Sequence, residues 1–295
     1  MNSPLFRGAM TALITPFDSS GQLQEKHLRD IIELQIQGGV DAIVPCGTTG
    51  EASTLNFKEY CRICELTVEY VNKRTKVIIG AGSNDTQHAI ELTCFAHKIH
   101  ADGVLSVGPY YNKPSQRGHY LHFKKIAKST EIPILIYNIP GRTGINILPE
   151  TILQLAEIPN IVGVKEASGS MDQVMLLLKG RPSDFSVLSG DDSLTLPFIA
   201  VGGDGCISVI ANEVPTDFTN MVHKALGGHW KSAREIHYRL FELMQLNFIE
   251  TNPVPVKAAL SMMGLIQEVY RLPLVPMSTE NRQKLESALK KLKLI

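Results

Sequence analysis

A chain of 295 residues with 44% hydrophobic side chains can bury a large core, as one big domain or as one domain with a small appendage. Its 29 Lys plus Arg balance its 29 Asp plus Glu, so no basic field exists to hold nucleic acid or an anionic membrane, and a small molecule is the expected partner. No apolar run reaches signal-peptide or membrane-span length, and 5 cysteines is an odd number in a chain too large to need stapling, so a cytoplasmic setting with reduced thiols is expected.

Short apolar, β-branched runs recur at fairly even spacing. AMTALITPF, DAIVPCGT, KVIIGAGS and DGVLSVGP come first, and IPILIYNIP, IVGVKEAS, FSVLSGDD and GDGCISVI complete a set of eight. Between most of them lie segments of helical period, such as TQHAIELTCFAHKIH and PETILQLAEIP. Continuous apolar strands alternating with helices imply a parallel sheet, and eight such units over about 225 residues predict an α/β fold closed as a (β/α)8 TIM barrel. An open doubly wound sheet is the rival. It would normally carry a glycine fingerprint after the first strand, where this chain has the turn TPFDSSG. From residue 226 the pattern is helical only, through HWKSAREIHYRLFELMQLNF, PVKAALSMMG and TENRQKLESALKKL. The expected division is a catalytic barrel over 1–225 and a C-terminal helical region over 226–295, without a catalytic motif of its own and available for assembly. Cys61 and Cys64 form a C-x-x-C inside FKEYCRICELTVEY, whose spacing is helical, and no second pair completes a zinc site. They are expected as buried structural thiols, and no metal site is expected.

Functional groups of such barrels sit at the C-terminal ends of the strands. The second run ends in GTTGE with Thr48, Thr49 and Gly50, the fourth in PYYN with Tyr110 and Tyr111, the fifth in YNIPGRTG with Tyr137 and Arg142, the sixth at Lys165 and the eighth near Ile207. Lys165 is out of place in an apolar strand. Alternation puts Ile161, Gly163 and Lys165 on one face and Val162, Val164 and Glu166 on the other, so the amine and the neighbouring carboxylate point apart. A lysine at a strand end can also snorkel to water or pair with a carboxylate. The other groups have ordinary explanations too: a turn before a helix, a packed aromatic cap, a solvated arginine. Together they supply an amine nucleophile, a phenol for proton transfer, a backbone anion cradle at a helix N-terminus and a guanidinium for a second carboxylate, a set suited to Schiff-base chemistry on a keto acid.

In order and spacing, GTTGE, PYYNKPSQ, YNIPGRTG and VGVKEASG resemble the pyruvate-dependent class I aldolase superfamily that includes N-acetylneuraminate lyase, and within it the dihydrodipicolinate synthase family. The resemblance extends through SGDD, GDGCISV and NPVPVK. It implies that Lys165 holds pyruvate as a covalent imine with no added cofactor, and that Thr48 and Thr49 bind the pyruvate carboxylate in a pocket completed by Gly190 and Ile207. It further implies a proton relay of Thr48, Tyr137 and a neighbouring subunit's copy of Tyr111, with Arg142 binding the carboxylate of L-aspartate 4-semialdehyde. The implied product is (4S)-4-hydroxy-2,3,4,5-tetrahydrodipicolinate, on the route to diaminopimelate and lysine, and the implied assembly is a homotetramer built as a dimer of dimers.

Two other readings compete. A sugar-acid aldolase of the N-acetylneuraminate or 2-keto-3-deoxygluconate type is disfavoured by Arg142 and by Thr48 preceding Thr49. A non-catalytic sensor barrel is disfavoured by the intact set of Lys165, Tyr137 and Arg142. Many members of the family bind L-lysine at the tight-dimer interface, and this chain keeps Asn84 and Tyr110 there. His88 stands where lysine-sensitive relatives have a glutamate and Tyr60 where they have a histidine, so weak or absent inhibition by L-lysine is expected.

Overall fold

The computed structural model describes residues 4–295; residues 1–3 of the expected barrel segment lie outside the described residues. Eight strands, β1 (Gly8–Ala12), β2 (Ala42–Val44), β3 (Lys76–Gly80), β4 (Gly103–Val107), β5 (Ile134–Asn138), β6 (Ile161–Glu166), β7 (Ser186–Ser189) and β8 (Gly205–Ser208), pair in sequence order. All pairs are parallel, and β8 closes back on β1 from Gly8↔Gly205 to Thr11↔Ser208, so the barrel leaves no edge. Gly205 makes that seam possible: its φ is +140°, and a Cβ there would collide with the Gly8 carbonyl.

The continuous apolar runs are explained by burial on both faces. Met10, Val44, Ile78, Leu105, Leu135 and Leu188 point inward and fill the barrel. Ile43, Ile79, Val104, Ile136 and Val187 point outward against the helices. The helix Phe57–Val71 shows how the outer layer is specified. Asn56 accepts from the Glu59 N–H and the Glu59 carboxylate accepts from the Asn56 N–H, a capping box that fixes the start. Tyr60, Ile63, Cys64, Leu66, Thr67 and Val71 then recur on the face turned to the barrel. Burying an Ile or Leu of that stripe stabilises the fold by about 1.5–3 kcal/mol. Cys64 packs Sγ to Sγ at 3.8 Å on buried Cys46, but Cys61 is only half-buried, so the expected burial holds for Cys64 alone, since Cys61 falls at the edge of the helix's buried face.

The helices Trp230–Leu246, Val254–Met262 and Thr279–Lys291 continue the chain past the helix Pro215–Leu226. Leu240, Leu243, Ala259, Leu285 and Leu289 share one core with Ala9, Cys206, Phe218 and Met221, so these helices are packed into the barrel wall. No helix among the described residues is long and apolar enough to cross a membrane.

One expectation about β6 fails. Ile134 pairs with Ile161, but Leu135 pairs with Gly163, so Val162 is an extra residue. At this β-bulge the alternation slips: Ile161 packs outside among the helices and Val162 packs against the inner cluster. Ile161 therefore does not share the face of Lys165. The alternation is regular from Gly163 onward, and it is this stretch that aims Lys165 into the barrel mouth and Glu166 outward.

Candidate active site

Lys165 is the next-to-last residue of β6, with only 5% of its surface exposed. Among the described residues no carboxylate lies within ion-pair distance of its Nζ and no hydrogen bond ties it, so neither snorkelling nor pairing accounts for it. Its Nζ sits 4.5 Å from the centroid of the Tyr137 ring, and Tyr137 is its register partner on β5. The Tyr137 hydroxyl likewise makes no hydrogen bond within the described chain.

The opposite face of the same two strands is fully engaged. Buried Glu166 accepts from Asn138 Nδ2 at 3.0 Å, Gln173 Nε2 at 3.0 Å and the Ser168 N–H at 2.7 Å. Hydrogen bonds to a charged group contribute about 1.5–3 kcal/mol each, and the one from Asn138 ties β5 to β6 directly behind the amine and the phenol. Gly190 leaves the lysine its room, since a Cβ there would lie 2.6 Å from Ala167 Cβ and 3.1 Å from Lys165 Cε. Next to it, burial pushes the Asp191 carboxyl above its ordinary value against the opposing pull of the Lys165 charge.

The Gly47–Gly50 turn lies between two residues in the left-handed region, Cys46 at φ 54° and Glu51 at φ 54°. Within it, the backbone N–H groups of Thr48 and Thr49 have no acceptor among the described residues. The expectation of a cradle at a helix N-terminus is corrected here. The turn runs into a three-residue 3₁₀ segment, Ala52–Thr54, and the α-helix begins only at Phe57 behind its own cap. The anion-binding capacity is therefore that of turn peptide N–H groups and not of a helix dipole.

Two cavities meet at these groups. A small inner one of about 40 Å³ is walled by Lys165, Tyr137, Thr48, Thr49, Gly190 and Asp191, with Arg142 and Asn252 at its side. A larger one of about 540 Å³ shares Thr48, Tyr137, Arg142 and Asn252 and extends outward to Tyr60, His88 and Tyr110. Arg142 is exposed on the short helix Pro140–Thr143 and donates to the Asn252 carbonyl at 3.0 Å.

Asn252 is the residue that sequence reasoning missed. Its amide donates to Thr49 Oγ1 at 3.0 Å, so the C-terminal region, expected to lack site chemistry, touches both proposed substrate-binding groups. The signal was present in NPVPVK, but nothing in that string alone assigns its asparagine a target. Ile207 is not brought to either cavity. It is fully buried in the inner core, and Val209, two residues on, forms the wall instead. Tyr111 is 89% exposed at φ 68° and lies outside both cavities of its own chain.

Of the four residues considered for an effector, Tyr60, His88 and Tyr110 line the outer end of the larger cavity. Asn84 does not, and its carbonyl accepts from Asn112 Nδ2 at 2.8 Å. The Tyr60 hydroxyl donates to the Gly80 carbonyl at 3.0 Å, and burial pushes its pKa well above the usual phenol value. His88 is exposed, with Nδ1 3.4 Å from Glu91.

A closed parallel barrel with a buried, unpaired lysine beside a tyrosine at its C-terminal mouth defines a (β/α)8 protein whose available chemistry is that of an amine. More particularly, the chain belongs to the dihydrodipicolinate synthetase family, whose model matches residues 5–292. It is 52% identical over 291 residues to the 4-hydroxy-tetrahydrodipicolinate synthase of Syntrophus aciditrophicus (strain SB), covering 99% of this chain and 100% of that protein. The crystal structure of dihydrodipicolinate synthase from Aquifex aeolicus matches at TM-score 0.96 and 48% identity, over 98% of this chain and 99% of that one. A structure described as the first monomeric dihydrodipicolinate synthase variant matches at TM-score 0.96 and 42% identity, over 98% of each chain.

Proposed function

We infer that this chain is a lyase-class enzyme that condenses pyruvate with L-aspartate 4-semialdehyde, the 4-hydroxy-tetrahydrodipicolinate synthase reaction on the route to lysine. The observation that carries the chemistry is the Lys165 amine, buried without an ion-pair partner among the described residues, 4.5 Å from the centroid of the Tyr137 ring. The reported relatives bear the synthase name, and neither the sugar-acid aldolase nor the sensor reading is favoured.

The Lys165 amine attacks the ketone of pyruvate, and loss of water leaves an imine, so no separate cofactor is required. The peptide N–H groups of Thr48 and Thr49 take the pyruvate carboxylate, since they are donors without another acceptor. Tyr137, with its hydroxyl unspent, carries protons as the imine forms and as the methyl carbon loses a proton to give the enamine. That carbon attacks the aldehyde of the second substrate, whose carboxylate is held by the Arg142 guanidinium. The amino group of the second substrate then displaces Lys165 and closes the ring.

Tyr111, exposed and held in a left-handed conformation, is assigned to the site of a neighbouring subunit, making a dimer the minimal unit of a homotetramer in the cytoplasm. Mixing inactive Tyr111→Phe and Lys165→Ala subunits should then regain activity through hybrids. No recovery after proven subunit exchange would show that each site is self-contained. Inhibition by L-lysine should be weak, because Glu51 is the only carboxylate lining the larger cavity among the described residues and Lys257 already holds it. Half-inhibition well below a millimolar would contradict this. The central test is borohydride reduction with pyruvate, which should add one pyruvyl mass at Lys165; label at another lysine, or none in active enzyme, overturns the reading.

A further inference from the structure

We propose that the buried Lys257–Glu51 ion pair is a positioning device for the keto-acid carboxylate, clamping the Thr48–Thr49 turn from the C-terminal helix; this rests on the reading of that turn given above. Glu51 closes the turn at φ 54° and is 3% exposed. A glutamate keeps a left-handed backbone only where its surroundings impose it. Here Glu51 Oε1 lies 2.5 Å from Lys257 Nζ, and Oε2 accepts from the Arg271 N–H at 3.3 Å. Lys257 is 0% exposed, its Nζ 4.5 Å from the Phe17 ring centroid and 5.5 Å from that of Tyr270. Neither charge reaches water, so each depends on the other.

The constraint passes directly into the binding turn. The Glu51 N–H donates to the Thr48 carbonyl at 3.1 Å, and the Gly50 carbonyl accepts from Thr15 Oγ1 at 2.7 Å. With the Gly50–Glu51 end of this short loop fixed and bonded back to the Thr48 carbonyl, the directions of the Thr48 and Thr49 N–H groups are restricted too. The segment that supplies Lys257 begins beside Asn252, whose amide reaches Thr49 Oγ1. The turn is thus held at Thr49 and at Glu51 by residues from one stretch of chain. Bulk stability does not require charge at this place, because well-packed apolar residues serve a core as well as a buried ion pair. What the pair adds is direction, with Lys257 holding one carboxylate oxygen while the Arg271 N–H holds the other.

The test compares Lys257→Met and Glu51→Gln with Arg181→Met, which breaks the Arg181–Asp204 pair at the opposite end of the barrel. Three quantities are read: the pyruvate concentration giving half-maximal borohydride-trapped adduct, the half-saturating L-aspartate 4-semialdehyde, and kcat. Lys257→Met should raise half-saturating pyruvate about fivefold or more, with the other substrate and kcat changed much less. Arg181→Met should lower Tm without moving pyruvate. If Lys257→Met does not fold, Glu51→Gln carries the same expectation, since it keeps side-chain volume while removing the charge. A pyruvate shift below about fivefold in a folded variant, an equal shift for both substrates, or an equal shift in Arg181→Met would each overturn the proposal. Failure of the functional reading is told apart because wild-type enzyme itself would then show no Lys165 adduct.

Discussion

The two ends of the barrel are built from the same strands and treat their polar groups in opposite ways. At the N-terminal end, an aspartate stands immediately before each of β2, β4 and β8 and reaches back to the strand preceding its own. Asp41 accepts from the Ala9 N–H on β1, Asp102 from Val77 on β3 and Asp204 from Val187 on β7, each at 2.8 Å. Asp204 also pairs with Arg181, and Asp41 faces His223. At the C-terminal end the important donors have no acceptor among the described residues: the Lys165 amine, the Tyr137 hydroxyl and the Thr48 and Thr49 N–H groups. Left-handed Cys46, Glu51 and Tyr111 lie in loops at this end, while left-handed Asn72, Lys73 and His100 lie in loops at the other. One end carries satisfied bonds that hold adjacent strands together, and the other withholds satisfaction until a substrate supplies it.

The largest effect expected from this contrast comes from Lys165→Ala. Turnover should fall by about three orders of magnitude or more, because a nucleophile is lost that no neighbour replaces. Far-UV circular dichroism and Tm should stay near wild type, since the Lys165 amine makes no hydrogen bond or ion pair among the described residues. A large fall in Tm would mean that the amine is structural after all.

Asp204→Ala should do the reverse. It removes the counter-charge of Arg181, which keeps its bonds to the Phe185 and Gly202 carbonyls, and unpairs the Val187 N–H; breaking a buried pair costs up to about 3–5 kcal/mol. Denaturant unfolding should show that loss while kcat remains close to wild type. A selective loss of activity in a stable protein would erase the division between the two ends.

The barrel was legible because its strands are buried on both faces, so that each appears as a continuous apolar run whatever its neighbours. The core of the site was legible for a related reason: a lysine such as Lys165 is conspicuous only in an apolar strand. What was not legible depends on pairing across the chain. The bulge at Val162 exists only in relation to β5, and IVGVKEAS alone gives no hint of it. Asn252 and Lys257 act on a turn some two hundred residues away, at separations of 203 and 206 in sequence. The three aspartates were visible at the starts of DAIV, DGVL and DGCI, but their acceptor role needs the neighbouring strand in place.

A smaller effect should follow from Arg142→Ala at the C-terminal end. The guanidinium is exposed and makes one bond among the described residues, to the Asn252 carbonyl, so its removal should leave Tm nearly unchanged. A charge-assisted contact to a substrate carboxylate contributes about 1.5–3 kcal/mol, which corresponds to a ten- to hundredfold rise in the KM of L-aspartate 4-semialdehyde. The KM for pyruvate should change far less. Equal changes for both substrates would show that Arg142 does not distinguish them.

The smallest effect belongs to His223 at the N-terminal end, and it sharpens the comparison through pH. His223 Nε2 lies 2.7 Å from Asp41 Oδ2, and this hydrogen bond, aided by the aspartate's charge and opposed by partial burial and by Arg7, raises the imidazole above its ordinary 6.5. The folded chain therefore keeps the proton to higher pH than the unfolded chain does. The stabilisation is fully present below about pH 6.5 and is lost as pH rises through the raised folded value. Both side chains are partly open to solvent, so screening keeps the effect modest, and 1 M salt should shrink it further. The Tm of wild type minus that of His223→Gln should be positive near pH 5.5 and close to zero near pH 9. The KM for pyruvate should not follow the same curve, because the contact sits at the end of the barrel remote from Lys165. A Tm difference that stays constant across this range would mean that His223 meets Asp41 only as a neutral hydrogen-bond partner.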